Sequence, residues 1–340
     1  MDIINYSIPI FKDIWVKDCY HMSIIPAVLY VKGNADIILF NQNFKYKINE
    51  MGITYVCEDF GNIYDHLERN GIENFPLLEI QDIERFICDY LKKQYVVVVG
   101  IDNYYEEIRK DFFGKVHSGH SVLIHGMDCQ NKIYNIIEQP FFYSPNYDYY
   151  QLSYASLKKA YFSFLNKKYE KDFFYNNLAP NTRIGNEIPS ICALNISQRN
   201  INSRDTLAQK NFVIEVNSRE EQYIESVKEL IKIKNEFYEI YLNFNSENEY
   251  SLNFIKQLSI LINNKSLEKY LYDRLEMVNI TKYIKEIIEK WKYIRTILSK
   301  FMLKQIYKEE DINNSMLRLQ EIYILENNLI QERRKIFERL

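Results

Sequence analysis

The chain lacks an excess of either charge: 43 Lys and Arg stand against 46 Asp and Glu, for a net charge of -3. Without a basic field, nucleic acid is not an expected partner. The opening residues, MDIINYSIPIFKDIW, hold no basic stretch followed by an apolar one, so no signal peptide is expected. No run reaches the roughly 18 apolar residues of a membrane span, so no membrane partner is expected either. The cysteines are five, an odd number: Cys19, Cys57, Cys88, Cys129 and Cys192. They are scattered and form no CxxC pair. That argues against a disulfide scaffold and a zinc ribbon, predicts no metal site, and suits a reducing cytoplasm where a thiol stays free. A glycine-rich phosphate loop is absent too, since GNADIILFNQN lacks the second glycine and the lysine.

What is present is the balance of a globular protein: 47% hydrophobic and 26% charged residues over 340 positions. That length suggests about two domains. A helix is expected to begin near Cys19, with Pro26 as a candidate kink. ADIILFNQ and ITYVCE read as strands. QDIERFICDYLKKQ (Gln81 to Gln94) has helical spacing, and YVVVVGI (Tyr95 to Ile101) is a β-branched run that predicts a central strand. HSVLIHGMD and NKIYNIIEQP flank a polar turn, as in a hairpin. SYASLKKAYFSFL then reads as a helix.

Beyond about residue 170 the character changes. Residues 176 to 205 hold Asn, Pro and Gly and read as irregular chain. Thereafter only long amphipathic helices are expected. Ser218 and Glu221 suggest a capping box opening the first. Its predicted apolar stripe is Ile224, Val227, Leu230, Ile231 and Tyr238. A second stripe runs Ile280, Ile284, Ile287, Trp291, Ile294, Leu298 and Phe301, and a third Met316, Leu319, Tyr323, Leu329 and Ile336. The expected organisation is an α+β unit over 1–170, an irregular connection over 171–205, and a helical bundle over 206–340.

Chemistry enters at Asp18-Cys19. Asp is a good N-cap, and a cysteine in the first turn of a helix has its thiolate favoured by the helix dipole. The alternative is a small buried thiol, as Cys57 and Cys88 are expected to be. A cysteine nucleophile needs a base, and three histidines cluster: His117 in a polar loop, His120 opening a strand, and His125 five residues on, expected on the opposite face. If the hairpin turn centres near Cys129-Gln130, residues pair when their numbers sum to about 259. His120 then lies opposite Gln139 and beside Glu138. Asp128 sits at the far end, some 25 Å away at roughly 3.3 Å per residue. Glu138 can orient the imidazole and Asp128 cannot.

The order of cysteine at a helix start, histidine opening a strand and acid ending the next resembles the papain-like superfamily, especially C39-type peptidases. YVVVVGIDNYY, GHSVLIHGMD and LSYASLKKAY, with DCYH upstream, are more narrowly similar to the butirosin biosynthesis protein H N-terminal domain family, which includes the cysteine-protease-like amide synthase of closthioamide assembly. The resemblance covers about residues 10 to 165. It implies a papain-like fold, Cys19 as nucleophile, His120 as general base and Glu138 as orienting acid. Two departures stand out. The peptidases usually have an Asp before Pro where this chain has Glu138. They also carry an oxyanion-hole Gln six residues before the cysteine, where this chain has Asp13, which cannot donate when ionised. The backbone N–H of Cys19 supplies one candidate donor.

The resemblance further implies an acyltransferase or amide synthase. It would move an acyl chain from a carrier-protein thioester, held on a phosphopantetheine arm, through an acyl-cysteine to a small amine in antibiotic biosynthesis. No bound cofactor is expected. Tyr104, Tyr105, Phe112 and Phe113 are candidates to line the acyl channel, with ordinary core packing as the alternative. Lys158, Lys159, Lys167 and Lys168 are candidate contacts for an acidic carrier, or simply a solvated helix face. The rival functions are a cysteine peptidase, amidase or thioesterase, and a non-catalytic module that binds a carrier protein. Oligomeric state is left open, with a homo-oligomer among the outcomes.

Overall fold

The computed structural model of the chain describes residues 3–49, 52–141, 146–166, 189–197, 206–245, 248–306 and 308–337. It is a mixed α/β structure with an antiparallel sheet and a helical C-terminal region. The elements in chain order are β1 (Ile3–Asn5), α1 (Cys19–Lys32), α2 (Asp36–Leu39), β2 (Gln42–Asn49), β3 (Gly52–Asp59), α3 (Ile63–Arg69), β4 (Asn74–Leu77), α4 (Ile83–Lys92) and β5 (Tyr95–Asp102). A 3-10 turn over Asn103–Tyr105 precedes β6 (Gly119–Asp128), β7 (Ile133–Glu138), β8 (Asp148–Ser153), α5 (Tyr154–Leu165) and β9 (Ile191–Asn195). Five helices follow: α6 (Thr206–Ser218), α7 (Glu220–Leu242), α8 (Glu249–Arg274), α9 (Val278–Lys304) and α10 (Glu309–Phe337). No helix among the described residues is long and apolar enough to cross a membrane.

Two compact units form. The first holds Met1–Asn41 and Asp59–Ala208, and the second Gln42–Glu58 and Gln209–Leu340. The division differs from the expected one in two respects: β2 and β3 cluster with the C-terminal helices rather than with the strands that flank them in sequence, and the span expected as a separate connection belongs to the first unit.

In the first unit the sheet runs β4-β9-β5-β6-β7-β8, with every pair antiparallel. Val97, Val99 and Ile101 of β5 pack with Val122 and Ile124 of β6, covered by α4 and α5. β-Branched residues fit this doubly covered position because they fill a pleated surface with little rotamer freedom to lose. The short β1 pairs with β6 at Gly126–Asp128. That approach needs a glycine: a Cβ at Gly126 would lie 2.5 Å from the Ile4 carbonyl oxygen. The expected hairpin forms, but its register shifts. Asp128 pairs with Ile133 and Met127 with Tyr134, while Leu123 pairs with Ile137. The extra residue is His125, at an irregularity between Ile124 and Gly126.

Three sequence expectations fail here. ADIILFNQ is not a strand. Asn34 accepts a hydrogen bond from the Asp36 N–H at 2.9 Å and starts a short helix, and β2 begins only at Gln42. Residues 176 to 205 are not all irregular, because β9 lies between β4 and β5. Its signal was four buried residues, Ile191 to Leu194, too short for a period to declare itself. Nor does Ser218 open a capping box: it ends α6, and its hydroxyl donates to the Glu215 carbonyl at 2.8 Å. α1 runs through Pro26 to Lys32 and stops at Gly33, whose φ of 77° suits glycine.

In the second unit the stripe predicted for α9 is buried throughout. The α7 stripe is rotated: Ile231 and Tyr238 are 40% and 43% exposed, while Tyr223, Ile233, Phe237 and Tyr241 are buried with Val227 and Leu230. The α10 stripe keeps Leu319 and Leu329 but buries Ile312, Ile322 and Ile330 in place of Met316, Tyr323 and Ile336. Inside this unit lies a closed ionic cluster. The Lys265 ammonium reaches Glu326 at 2.7 Å, Glu268 at 3.0 Å and the Tyr223 hydroxyl at 3.0 Å. Tyr46 and Tyr223 each donate to Glu326 at 2.5 Å. Tyr55 donates to Glu268 at 2.9 Å, and Arg333 binds the other Glu268 oxygen. Two cations meet two carboxylates with all four side chains sealed from water, so the cluster is neutral and its register is fixed by directional bonds.

Candidate functional site

Cys19 is the first residue of α1. Asp18 caps the helix: its Oδ1 accepts from the His21 N–H at 2.8 Å, a cap worth about 1 kcal/mol. Among the described residues no hydrogen bond is made by the N–H groups of Cys19 or Tyr20, which leaves two donors at the helix start. Cys19 is a free, half-buried thiol.

His21, quoted in the DCYH motif without a role, turns out to anchor this helix start. Its Nδ1 meets Asp18 Oδ1 at 2.8 Å and its Nε2 meets Asp59 at 3.0 Å, while the Lys17 ammonium lies 2.7 Å from Asp59. Burial opposes a charged ring, but Asp18 and Asp59 outweigh it and raise the His21 pKa to about 9. The Asp59 carboxyl is held well below the usual range by His21 and Lys17, against its own burial. Two cations and two carboxylates again cancel. One turn along α1 from Cys19, the Ser23 hydroxyl donates to the Ser121 carbonyl of β6 at 2.9 Å. That bond ties the cysteine helix to the strand that carries His120.

His120 and Glu138 come together across β6 and β7. Nε2 of His120 lies 2.8 Å from Glu138 Oε2, and both side chains are sealed from solvent. His120 Nδ1 has no hydrogen-bond partner among the described residues. Burial pushes the Glu138 carboxyl up to about 8, against the pull of Arg109. Asp128 stays at the turn, bonded to Gln130 and Asn131 N–H groups.

Three more residues belong to this cluster and had no sequence signal, since each sits in a loop without periodicity. Arg109 is fully buried, with Nη1 3.3 Å from His120 Nε2 and 3.9 Å from Glu138 Oε1. Glu106 is buried with neither oxygen in a hydrogen bond of normal geometry, and burial plus the Glu138 charge hold it well above the usual carboxylate range. It is therefore a neutral acid beside an ionisable one. Tyr147 stacks on Trp15 with centroids 6.4 Å apart, and its buried hydroxyl is unpartnered. Burial raises the Tyr147 phenol far up, and Glu138 and then Cys19 add to the shift, so this phenol feels both the acid and the thiol. No hydrogen bond joins Cys19 Sγ to the His120 ring among the described residues.

Glu106, His120 and Glu138 offer ligand atoms within 4.8 Å of one another, a spacing that could hold a metal ion. Arg109 already places a cation beside two of the three, which weighs against a second. The remaining expected residues disperse. Asp13 is exposed in the segment before α1. Tyr104 stacks on His117 at 4.3 Å, Tyr105 lies under the Lys159 ammonium at 4.6 Å, Phe112 under Arg109 at 5.0 Å, and Phe113 is exposed. Lys158 pairs with Glu84 at 3.2 Å, and Lys167 and Lys168 lie outside the described residues. His125 Nδ1 donates to the Tyr6 carbonyl, 2.7 Å away, and takes no part in this cluster. No family model matches the chain, and comparison with curated proteins finds none similar.

Proposed function

We propose that the chain is a cysteine-dependent acyltransferase of papain-like type that makes an amide from a carrier-bound thioester. The observation that carries this reading is the buried His120 Nε2–Glu138 Oε2 bond of 2.8 Å, which leaves Nδ1 as the ring nitrogen without a partner. An imidazole held at one nitrogen can take a proton from a thiol at the other. Cys19 supports the reading by its place at the start of α1, where two unbonded N–H groups are free to receive an oxyanion.

In this scheme the Cys19 thiol gives its proton to His120 Nδ1, and the thiolate attacks the thioester carbonyl. The C–S bond to the carrier arm breaks, and the leaving thiolate takes the proton back from His120. Exchange of one thioester for another is nearly thermoneutral, so acyl-Cys19 is accessible. An amine then attacks and gives up a proton to a base, a C–N bond forms, the C–S bond breaks, and Cys19 leaves as thiolate. The partners implied are an acyl or peptidyl carrier protein and a small amine, in a cytoplasmic setting. Hydrolysis to a free acid, or cleavage of a peptide, would use the same residues with water as acceptor. The test is incubation with S-acetyl-N-acetylcysteamine, with and without an amine, followed by intact-mass analysis. An acetyl group on Cys19 that the amine discharges as amide supports the reading. Full turnover by Cys19→Ala sinks it, and discharge by water alone favours the hydrolase.

A further inference from the structure

A second acid–histidine pair lies at the same end of the sheet and is used by nothing described so far. Asp102, the last residue of β5, is fully buried. Its Oδ1 accepts from the Tyr104 N–H at 3.1 Å and the Ser118 N–H at 3.2 Å. Its Oδ2 accepts from the Ser163 hydroxyl at 2.6 Å and meets His117 Nδ1 at 2.6 Å. Three donors besides the imidazole converge on this carboxylate, which only accepts when ionised, so the imidazole meets it with the proton on Nδ1. Nε2 is then the lone-pair nitrogen. It has no partner among the described residues and is not sealed from water, and the side chain is 34% exposed. The ring plane is fixed as well, stacked on Tyr104 at 4.3 Å and 13°. Tyr105 meets its edge at 6.1 Å, and the Lys159 ammonium lies over the Tyr105 ring at 4.6 Å.

A histidine with its tautomer, plane and direction all set, and its basic nitrogen facing solvent, is preorganised to receive a proton from a molecule that arrives from outside. His120 is placed differently: its side chain is 1% exposed and its Nε2 is taken. The two lie three residues apart in the chain, so their Cα atoms are within about 10 Å of each other.

We propose that the Asp102–His117 pair is the base for the amine acceptor of the second half-reaction, an inference that rests on Cys19 being the acylated residue. As the amine nitrogen attacks acyl-Cys19, its proton passes to His117 Nε2. The C–N bond forms, the C–S bond breaks, and Cys19 leaves as thiolate against His120. His117 then returns its proton to solvent. The division of labour assigns the buried imidazole to the thiol and the exposed one to the amine, so acylation and aminolysis have separate bases.

The experiment acetylates the full chain with S-acetyl-N-acetylcysteamine, removes excess donor, and follows loss of acetyl-Cys19 by intact mass in the wild type, His117→Gln and His117→Phe. The phenyl ring keeps the stack on Tyr104, so a variant lacking only the base is available if glutamine unsettles the loop. Expected are unchanged acetylation, discharge by methylamine slowed on the order of 100-fold in both variants, and equal discharge of all three by hydroxylamine, which needs no base. Methylamine discharge at the wild-type rate in either variant overturns the inference alone. Failure of the wild type to acetylate at Cys19 overturns the reading of Cys19 and the inference with it.

Discussion

Replacing Lys265 with methionine is the sharpest available test of the ionic cluster in the second unit. The substitution keeps the length of the side chain and removes the charge. Glu268 retains Arg333 and the Tyr55 hydroxyl, so its surroundings change little. Glu326 retains only the hydroxyls of Tyr46 and Tyr223, so a fully buried carboxylate loses its cation. Breaking a buried pair from one side costs about 3–5 kcal/mol, most of it the stranded charge. In a unit of roughly 150 residues each kcal/mol moves the midpoint by about 2–4 °C, so a fall of about 6–20 °C is expected. The assay can be made specific because each unit holds one of the two tryptophans: Trp15 in the first and Trp291, 3.4 Å from the Tyr46 hydroxyl, in the second. In a Trp15→Phe background the fluorescence reports the second unit alone. Lys265→Met with Glu326→Gln should recover most of the loss, since an amide keeps an acceptor for the tyrosines without a charge. A loss under about 1 kcal/mol in the single variant, or a double variant no more stable than the single, refutes the reasoning.

Two further outcomes are expected. His21 has its pKa raised to about 9 from 6.5, so the stability it contributes is full below about 6.5 and is lost as pH rises through about 9. At 1.36 kcal/mol per unit this is about 3 kcal/mol, read from Trp15-monitored denaturation between pH 6 and 10; His21→Gln should show no loss over that window, and a wild type as flat as the variant would contradict the clamp. Glu138, pushed up to about 8 by burial, holds an extra proton below that pH, so acetylation of Cys19 should rise through a limb near 8 that belongs to the His120–Glu138 pair. Glu138→Gln should abolish the limb and slow acetylation by about 100-fold or more, and a limb unchanged in the variant would assign it elsewhere.

The parts of the site legible in the sequence were those set by local rules. Asp18 before Cys19 is a cap that any chain reveals, and alternation plus one turn placed Glu138 beside His120. The register expectation was short by two residues at the turn, which lies one position further along than the composition suggested, and the bulge at His125 took back one of them, so the pairing of acid and imidazole tolerated the slip. Arg109, Glu106 and Tyr147 were invisible because their positions depend on how loops return to the sheet. His21 was visible as a residue but not as a clamp, since Asp59 lies 38 positions away. The α7 stripe was misplaced because that helix has apolar residues on two faces, and pattern alone does not say which is covered.

The split of the chain between its two units has a consequence during synthesis. The segment of β2 and β3 emerges early, carrying Tyr46 and Tyr55, yet Lys265, Glu268, Glu326 and Arg333 lie more than 200 residues downstream. At ribosomal speeds of about 5–20 residues per second, that hairpin waits on the order of 10–50 s before its partners exist. Gly52, at φ 114°, leaves no room for a Cβ beside the Phe254 ring that eventually covers it. Until then the turn and the tyrosines have nothing to close on. The nascent chain therefore carries an unfinished ribbon even after β9, the last strand of the sheet unit, has been made.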